Sequence, residues 1–336
     1  MNTIMRGKDF ITTQDWSRDE LEMLLDVAGD LKKKFALDEL TDHLLRAKTL
    51  FMLFFEQSTR TRNSIEAGIT QLGGHAHDLT PNKMQITHGE SARDTAKVLS
   101  RFGHGIAIRN CFFGIGNGYL HQVAKDADIP VISMQDDVYH PLQGLADLMT
   151  IREKVGRGLR GLKVTVSWAY ATTHAKPLSV PQTQALLFSR YGLDLTFAYP
   201  EEFPLDPVIM EQARENAALS GGRVRITHDM EEAFIDAQVV FPKNWGGFLG
   251  VEDPDSEEGK REMAANLSRH QDWLCDQQLM ELTDSDSLFM HALPADRGNE
   301  VTDEVIDGPH SVIYDQAENR LHTAKAVMAL TMGGRP

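Results

Sequence analysis

Residues 50–62 read LFMLFFEQSTRTR, and the change of character halfway through decides the fold. Leu50 to Phe55 is a short, unbroken apolar run, the pattern of a strand buried on both faces of a parallel sheet. Directly after it, Ser58, Thr59, Arg60, Thr61 and Arg62 place three hydroxyls and two guanidiniums within five residues. The following NSIEAGITQLGG spaces Ile65, Ile69 and Leu72 along one helical face and stops at Gly73-Gly74. In open α/β sheets, ligands gather at the carboxyl ends of strands, where the next helix offers N–H groups and a positive dipole end. Amides at 58–61 can cradle an anion's oxygens there, the hydroxyls add donors, and Arg60 can clamp a phosphate with two parallel hydrogen bonds. Capping of the helix by Ser58 or Thr59 accounts for one hydroxyl and leaves the rest of the cluster unexplained.

Working outward, apolar and helical segments alternate. Strand-like runs fall at 49–55, 75–79, 104–109 and 130–133, with helices at 59–73, 90–102 and 117–127. A longer helix runs from Pro141 to about Lys154. A second series has strands at 163–168, 194–199, 223–227, 238–241, 287–290 and 311–314. Ahead of both, Ser17-Arg18-Asp19-Glu20 is a capping box for an amphipathic helix. The repeated βαβα rhythm predicts an α/β protein of two doubly wound parallel-sheet domains joined by helices. The domains expected are 1–150 and 151–314, parted near the glycines of EKVGRGLRGLK, with a last helix in 315–336 returning to the first domain. The acidic stretch 251–263 reads as a solvated loop ahead of a helix.

A chain of 336 residues exceeds one ordinary core, and 41% hydrophobic with 25% charged residues is a soluble globular composition. The net charge of −15 argues against nucleic-acid or membrane surfaces, and no apolar run approaches the roughly 18 residues of a membrane span. The first ten residues have no signal-peptide pattern, and two distant cysteines, Cys111 and Cys275, suit reduced thiols in a cytoplasmic protein.

Other strand ends carry polar residues as well. Arg109 closes GIAIRN; His140 and Gln143, three apart, address one spot at a helix start; His291-Ala292-Leu293-Pro294 follows a further strand. Two patterns mislead. Gly114-Ile115-Gly116-Asn117-Gly118 mimics a dinucleotide fingerprint, but Tyr119 stands where the third glycine belongs. His75-Ala76-His77 mimics a metal site without a second ligand cluster, so no metal is expected.

Four motifs taken together carry a resemblance: S-T-R-T-R at 58–62, H-P-x-Q at 140–143, H-x-L-P at 291–294 and Gln316-Ala317-Glu318-Asn319-Arg320-Leu321-His322. In this order and spacing they resemble the aspartate/ornithine carbamoyltransferases, from RGKDF near the start to the last helix. The resemblance implies a carbamoyl-phosphate domain, a second domain for an amine substrate, no cofactor, and a homotrimer with shared active sites. Ser58, Thr59, Arg60 and Thr61 would hold the phosphate, with Arg320 completing the pocket. Thr61, Arg109 and His140 would polarise the carbamoyl oxygen, while Gln143 and the Leu293 carbonyl orient its nitrogen. Gln85, in NKMQITHGES, matches a loop that reaches into a neighbouring subunit's site.

The amine is less plain. Ornithine members carry H-C-L-P where this chain has Ala292, and the H-P-L-P-R of aspartate members is missing. Trp168-Ala169-Tyr170, His174 to Gln182 and Lys243-Asn244-Trp245 look like the knotted branch, which includes N-acetylornithine and N-succinylornithine enzymes and relatives of unsettled substrate. That likeness implies a trefoil knot in the second domain. Candidates for the amine pocket are Trp168, Lys176, Lys243, Trp245, His291 and Ala292, with Asp296 and Glu90 as holders of the ammonium. Two other classes compete: a catalytically silent relative that only binds carbamoyl phosphate or phosphate, and a dinucleotide-dependent oxidoreductase. Turnover with any amine excludes the first, and absence of nicotinamide binding excludes the second.

Overall fold

In the computed structural model, residues 5–172 and 176–333 are described. His174 and Ala175, at the head of the proline-bearing loop, lie outside them. Two units divide the chain, Met1–Ala146 with Ala317–Pro336, and Asp147–Gln316.

The first unit opens with α1 (Arg18–Ala36), which starts where its capping box predicts. Ser17 Oγ accepts from Glu20 N at 3.2 Å, and the Glu20 carboxylate accepts from Ser17 N at 2.6 Å. Leu21, Leu24, Leu25, Ala28 and Leu31 form its buried stripe. Then come β1 (Thr49–Phe54), α2 (Arg60–Gln71), β2 (His75–Leu79), α3 (Ala92–Phe102), β3 (Gly105–Asn110), α4 (Gly116–Asp126) and β4 (Val131–Asp136). All four strands are parallel, in the order β2-β1-β3-β4. β1 is central and buried from Leu50 onward, as its apolar run requires. The chain winds one way from β1 to β2 and the other way from β1 to β3, so the topological switch lies between β1 and β3. β4 is longer than the expected 130–133, because Met134, Gln135 and Asp136 stay in the sheet behind a register shift at Ile108/Arg109. The outer edge of β4 is covered by Phe10, whose N and O bond Val131 O and Ser133 N at 2.8 Å each.

The helix α5 (Pro141–Val155) contains the first dividing point. The second unit continues with β5 (Lys163–Ser167), α6 (Ser179–Ser189), β6 (Asp194–Ala198), α7 (Pro207–Ser220), β7 (Arg223–Thr227), α8 (Met230–Phe234) and β8 (Val239–Pro242). After these come α9 (Glu257–Arg269), α10 (Gln277–Met280), β9 (Leu288–Phe289), α11 (Asp303–Ile306) and α12 (Ile313–Met328), in which the second dividing point falls. The parallel order β7-β6-β5-β8-β9 puts this sheet's switch between β5 and β8. The acidic stretch is partly helical, since Ser256 caps α9 by accepting from Gly259 N.

One expected strand is corrected. Residues 311–314 do not form one: Ser311 makes a single bridge to Phe289, and Val312 O already accepts the N–H of Gln316 at 3.0 Å. Helix hydrogen bonding therefore begins before a strand can lengthen, and α12 starts at Ile313. Among the described residues, no helix is long and apolar enough to cross a membrane.

The turn that ends α2 is sterically exacting. Gly73 sits at φ +86°, and an added Cβ would lie 1.8 Å from Asp42 O. Gly73→Ala should cost about 1–3 kcal/mol through the left-handed backbone alone, and more through the clash. A clearly lower urea midpoint is expected, and an unchanged midpoint would contradict this account of the turn.

Candidate functional site

The switch of the first unit gathers four chain segments. Phe54 of β1 pairs with Arg109 of β3, and Arg109 with Gln135 of β4, so three strand ends share one edge. From that edge β1 runs into α2, whose first turn has Thr59 at the cap position. No side chain caps it. The reading in which Ser58 or Thr59 serves merely as a cap is thereby removed, and the first-turn amides have no side-chain cap.

The two arginines of S-T-R-T-R part company. Arg62 turns back to the sheet, paired with the Asp78 carboxylate and stacked 3.9 Å over the Phe54 ring. Arg60 is half-buried and forms no ion pair among the described residues. Burial first, then the like charge of Arg109, pull its pKa below the ordinary guanidinium range. Two guanidiniums are thus held close enough to repel. Arg109 donates to Gln135 Oε1, and its charge restrains the upward shift that burial gives the Glu56 carboxyl.

Arg320, on α12, is buried, and its two terminal nitrogens are used: Nη2 donates to Thr61 Oγ1 at 2.8 Å and Nη1 to Gln143 Oε1. Gln143 lies in the first turn of α5, its N–H bonded to His140 O at 3.0 Å, and His140 is buried beside it. The structure therefore joins Thr61, Gln143 and Arg320 directly and places His140 next to them, with Ser58 and Thr59 on the β1–α2 turn, Arg60 at the first position of α2 and Arg109 on the adjoining strand. Gln85 is exposed in the turn Gln85–His88, and no side-chain hydrogen bond joins it to this group among the described residues. Glu90 accepts from Thr95 Oγ1 at 3.0 Å.

The glycine-rich decoy is occupied by protein. Asp137 accepts from Gly114 N and Asn117 N, both at 2.7 Å, so a carboxylate fills the helix start where a dinucleotide's phosphates would lie. His75 and His77 pack edge to face, with ring centroids 4.9 Å apart.

In the second unit, the expected amine residues converge on a residue the sequence reading missed. Glu300 is fully buried; Oε1 accepts from Lys176 Nζ at 3.0 Å and Asn244 N at 2.7 Å, and Oε2 from Asp296 N at 2.6 Å. Lys243 Nζ lies 4.0 Å from Oε1 and His291 Nε2 3.4 Å from Oε2. Burial alone would raise the Glu300 pKa, but Lys243, His291 and Lys176 outweigh it and hold the carboxyl well below its ordinary range. Burial lowers the pKa of His291. Its Nδ1 accepts from Leu293 N at 2.9 Å, which leaves the proton of a neutral ring on Nε2, facing Glu300. One carboxylate so ties together the segments after β5, β8 and β9.

Trp168 and Trp245 lie at the same strand ends with their rings inside the unit, both 0% exposed. Trp168 Nε1 donates to Trp245 O at 2.9 Å, and Trp245 Nε1 to Phe203 O at 3.0 Å. Lys243, Trp245, His291 and Ala292 border a cavity of about 10 Å³, room for one water and not for an amino acid. Asp296, whose Oδ2 accepts from Thr172 N at 3.2 Å, belongs to the same group of loops. Leu293 follows His291 in this unit.

Removing one partner of a buried ion pair costs roughly 3–5 kcal/mol, so Glu300→Gln should lower stability by that order at neutral pH. The depressed pKa means the contribution is fully present above the ordinary value of 4.5 and is lost as pH falls below it toward the folded value. Urea unfolding at pH 7 and pH 3.5 should show the gap between wild type and variant narrowing at the lower pH. Equal gaps would contradict the assignment.

Comparison with known proteins gives a consistent result. The family described as "Aspartate/ornithine carbamoyltransferase, carbamoyl-P binding domain" matches residues 8–153, and the companion "Asp/Orn binding domain" matches 176–331. The ornithine carbamoyltransferase of Thermococcus kodakarensis is 40% identical over 330 residues, covering 98% of each chain. YgeW of Escherichia coli K12, provisionally named a carbamoyltransferase, is 35% identical, covering 99% of this chain and 91% of its own. Among solved structures, ornithine carbamoyltransferase from Pyrococcus furiosus superposes with a TM-score of 0.86 at 37% identity, over 99% of both chains. An acetylornithine transcarbamylase complexed with acetylcitrulline gives 0.87 at 33%, over 98% of this chain and 100% of the other.

Proposed function

The chain belongs to the aspartate/ornithine carbamoyltransferase family, and from that premise we propose that it moves a carbamoyl group between carbamoyl phosphate and a small amino or ureido compound other than plain ornithine or aspartate. The observation that carries this reading is the state of Arg60. It is a half-buried guanidinium beside a second one, at an uncapped helix start, with no carboxylate of its own. An anion there relieves the repulsion and takes up the free amides at once.

In the forward direction a neutral amine attacks the carbamoyl carbon. The C–N bond forms, the bond from carbon to the bridging phosphate oxygen breaks, and phosphate leaves carrying the amine's proton. Ser58, Thr59, Arg60 and the amides of 58–61 hold the phosphate, with Arg320 aligned by Thr61 and Gln143. Arg109, His140 and Thr61 aim donors at the carbamoyl oxygen, where negative charge develops. Gln143 orients the carbamoyl nitrogen. No cofactor is required, since these groups lower the barrier by fixed electrostatics and by holding two reactants in line.

The second unit supplies the amine site, built from the segments that carry Trp168, Lys176, Lys243, Trp245, His291 and Ala292. Ala292 in place of a cysteine argues against ornithine itself, although ornithine enzymes are among the relatives. The W-A-Y, K-P-L-S-V-P-Q and K-N-W elements favour the knotted branch, and with it a trefoil knot, a homotrimer in which Gln85 serves a neighbour's site, and a cytoplasmic location.

The test is incubation with carbamoyl phosphate and a panel of amines, including ornithine, its N-acetyl and N-succinyl forms, putrescine, aspartate and 2,3-diaminopropionate, with ureido products detected by mass. One amine should be carbamoylated, and Arg60→Ala should lose about 10²–10³ in turnover. Near-normal activity in that variant would sink the assignment.

A further inference from the structure

Arg320 lies on α12 and meets α2 at Thr61, and three residues away from the cradle lie in the same helix contact. Lys325, five positions after Arg320, is buried, and its Nζ donates to Oε1 of Gln71, the last residue of α2, at 3.0 Å. The ring centre of Phe35 on α1 lies 5.7 Å from its Nζ. Among the described residues it has no carboxylate partner, and burial lowers its pKa. A buried ammonium on one neutral acceptor is a poor choice for stability when an apolar side chain of similar length would fill the same space.

Between the two ends the helices touch at Gly68. A Cβ there would stand 3.0 Å from Met328 Cε, 3.2 Å from Lys325 Cγ and 3.7 Å from Leu321 Cδ1. The bare glycine allows the close approach, and the Lys325–Gln71 bond pins one end of it. At the other end Arg320 meets Thr61, in the first turn of α2.

We propose that Gly68, Gln71 and Lys325 are positioning residues, which fix the register of α12 on α2 so that the Arg320 guanidinium is delivered to Thr61 in the phosphate cradle. This deepens the reading of the cradle as the carbamoyl phosphate site and rests on it. A guanidinium that must meet both a substrate oxygen and two protein acceptors tolerates little displacement, since errors near 1 Å at a reacting site cost up to about a hundredfold.

Lys325→Met is the direct test, because it keeps an unbranched side chain of nearly the same length and removes the ammonium together with its bond to Gln71. The KM for carbamoyl phosphate should rise at least about tenfold, with the amine KM unchanged and the unfolding midpoint no lower than wild type. A purely structural lysine would give the reverse, a lower midpoint with both KM values intact, and that result overturns the proposal. Gly68→Ala is the second variant, and it decides alone if Lys325→Met does not fold. Its methyl must push Met328 or Lys325 aside, so the carbamoyl phosphate KM should rise although alanine suits a helix better. Unaltered KM values beside an active wild type would sink the seam alone. A wild type that neither binds nor turns over carbamoyl phosphate would sink the reading of the cradle and the seam with it.

Discussion

Two positive side chains are kept at one edge of a sheet by main-chain pairing, and the first unit is arranged around that fact. Phe54 and Arg109 are register partners on adjacent parallel strands, so the residues that follow β1 meet the end of β3 whatever their charge. Arg60 consequently stands near Arg109 with burial and like charge both against it. Such an arrangement costs free energy in the free protein, and an anion between the two guanidiniums would offset that cost. The uncapped start of α2 and the buried Arg320 fit the same logic.

The second unit answers the same topological problem in the opposite way. Its switch also brings loops to the ends of two strands, but the cations that collect there are met from within, by Glu300. Lys176 and Lys243 look from their sequence like groups awaiting a substrate carboxylate, and in the folded chain both face a protein carboxylate first. The cavity beside them, bordered by Lys243, Trp245, His291 and Ala292, is about 10 Å³.

Much of this was legible in advance. The apolar run of β1, the glycine stop of α2 and the capping box of α1 are local signals, and local signals survive tertiary context. The end of β4 was hidden because Gln135 and Asp136 resemble a turn, yet Gln135 is held in the sheet as the partner of Arg109. Residues 311–314 failed as a strand because apolar content alone does not separate a strand from the start of a helix. The split between Arg60 and Arg62 could have been found, since residues two apart on a helix point to opposite sides once the helix is known to start at Arg60. Glu300 offered no such handle. Only the three-dimensional meeting of Lys176, Asn244, Asp296 and His291 distinguishes it from the surface acids nearby in sequence.

The claim on which everything else stands is that the first unit binds carbamoyl phosphate at the meeting of β1, β3, α5 and α12. Titration calorimetry with carbamoyl phosphate, repeated with inorganic phosphate as competitor and on the variant Arg320→Met, tests it most directly. One saturable site per chain is expected, displaced by phosphate and weakened at least about tenfold in the variant, because a charged hydrogen-bond donor to an anion is lost. A folded protein with no saturable binding, or a variant that binds as tightly as wild type, would contradict it.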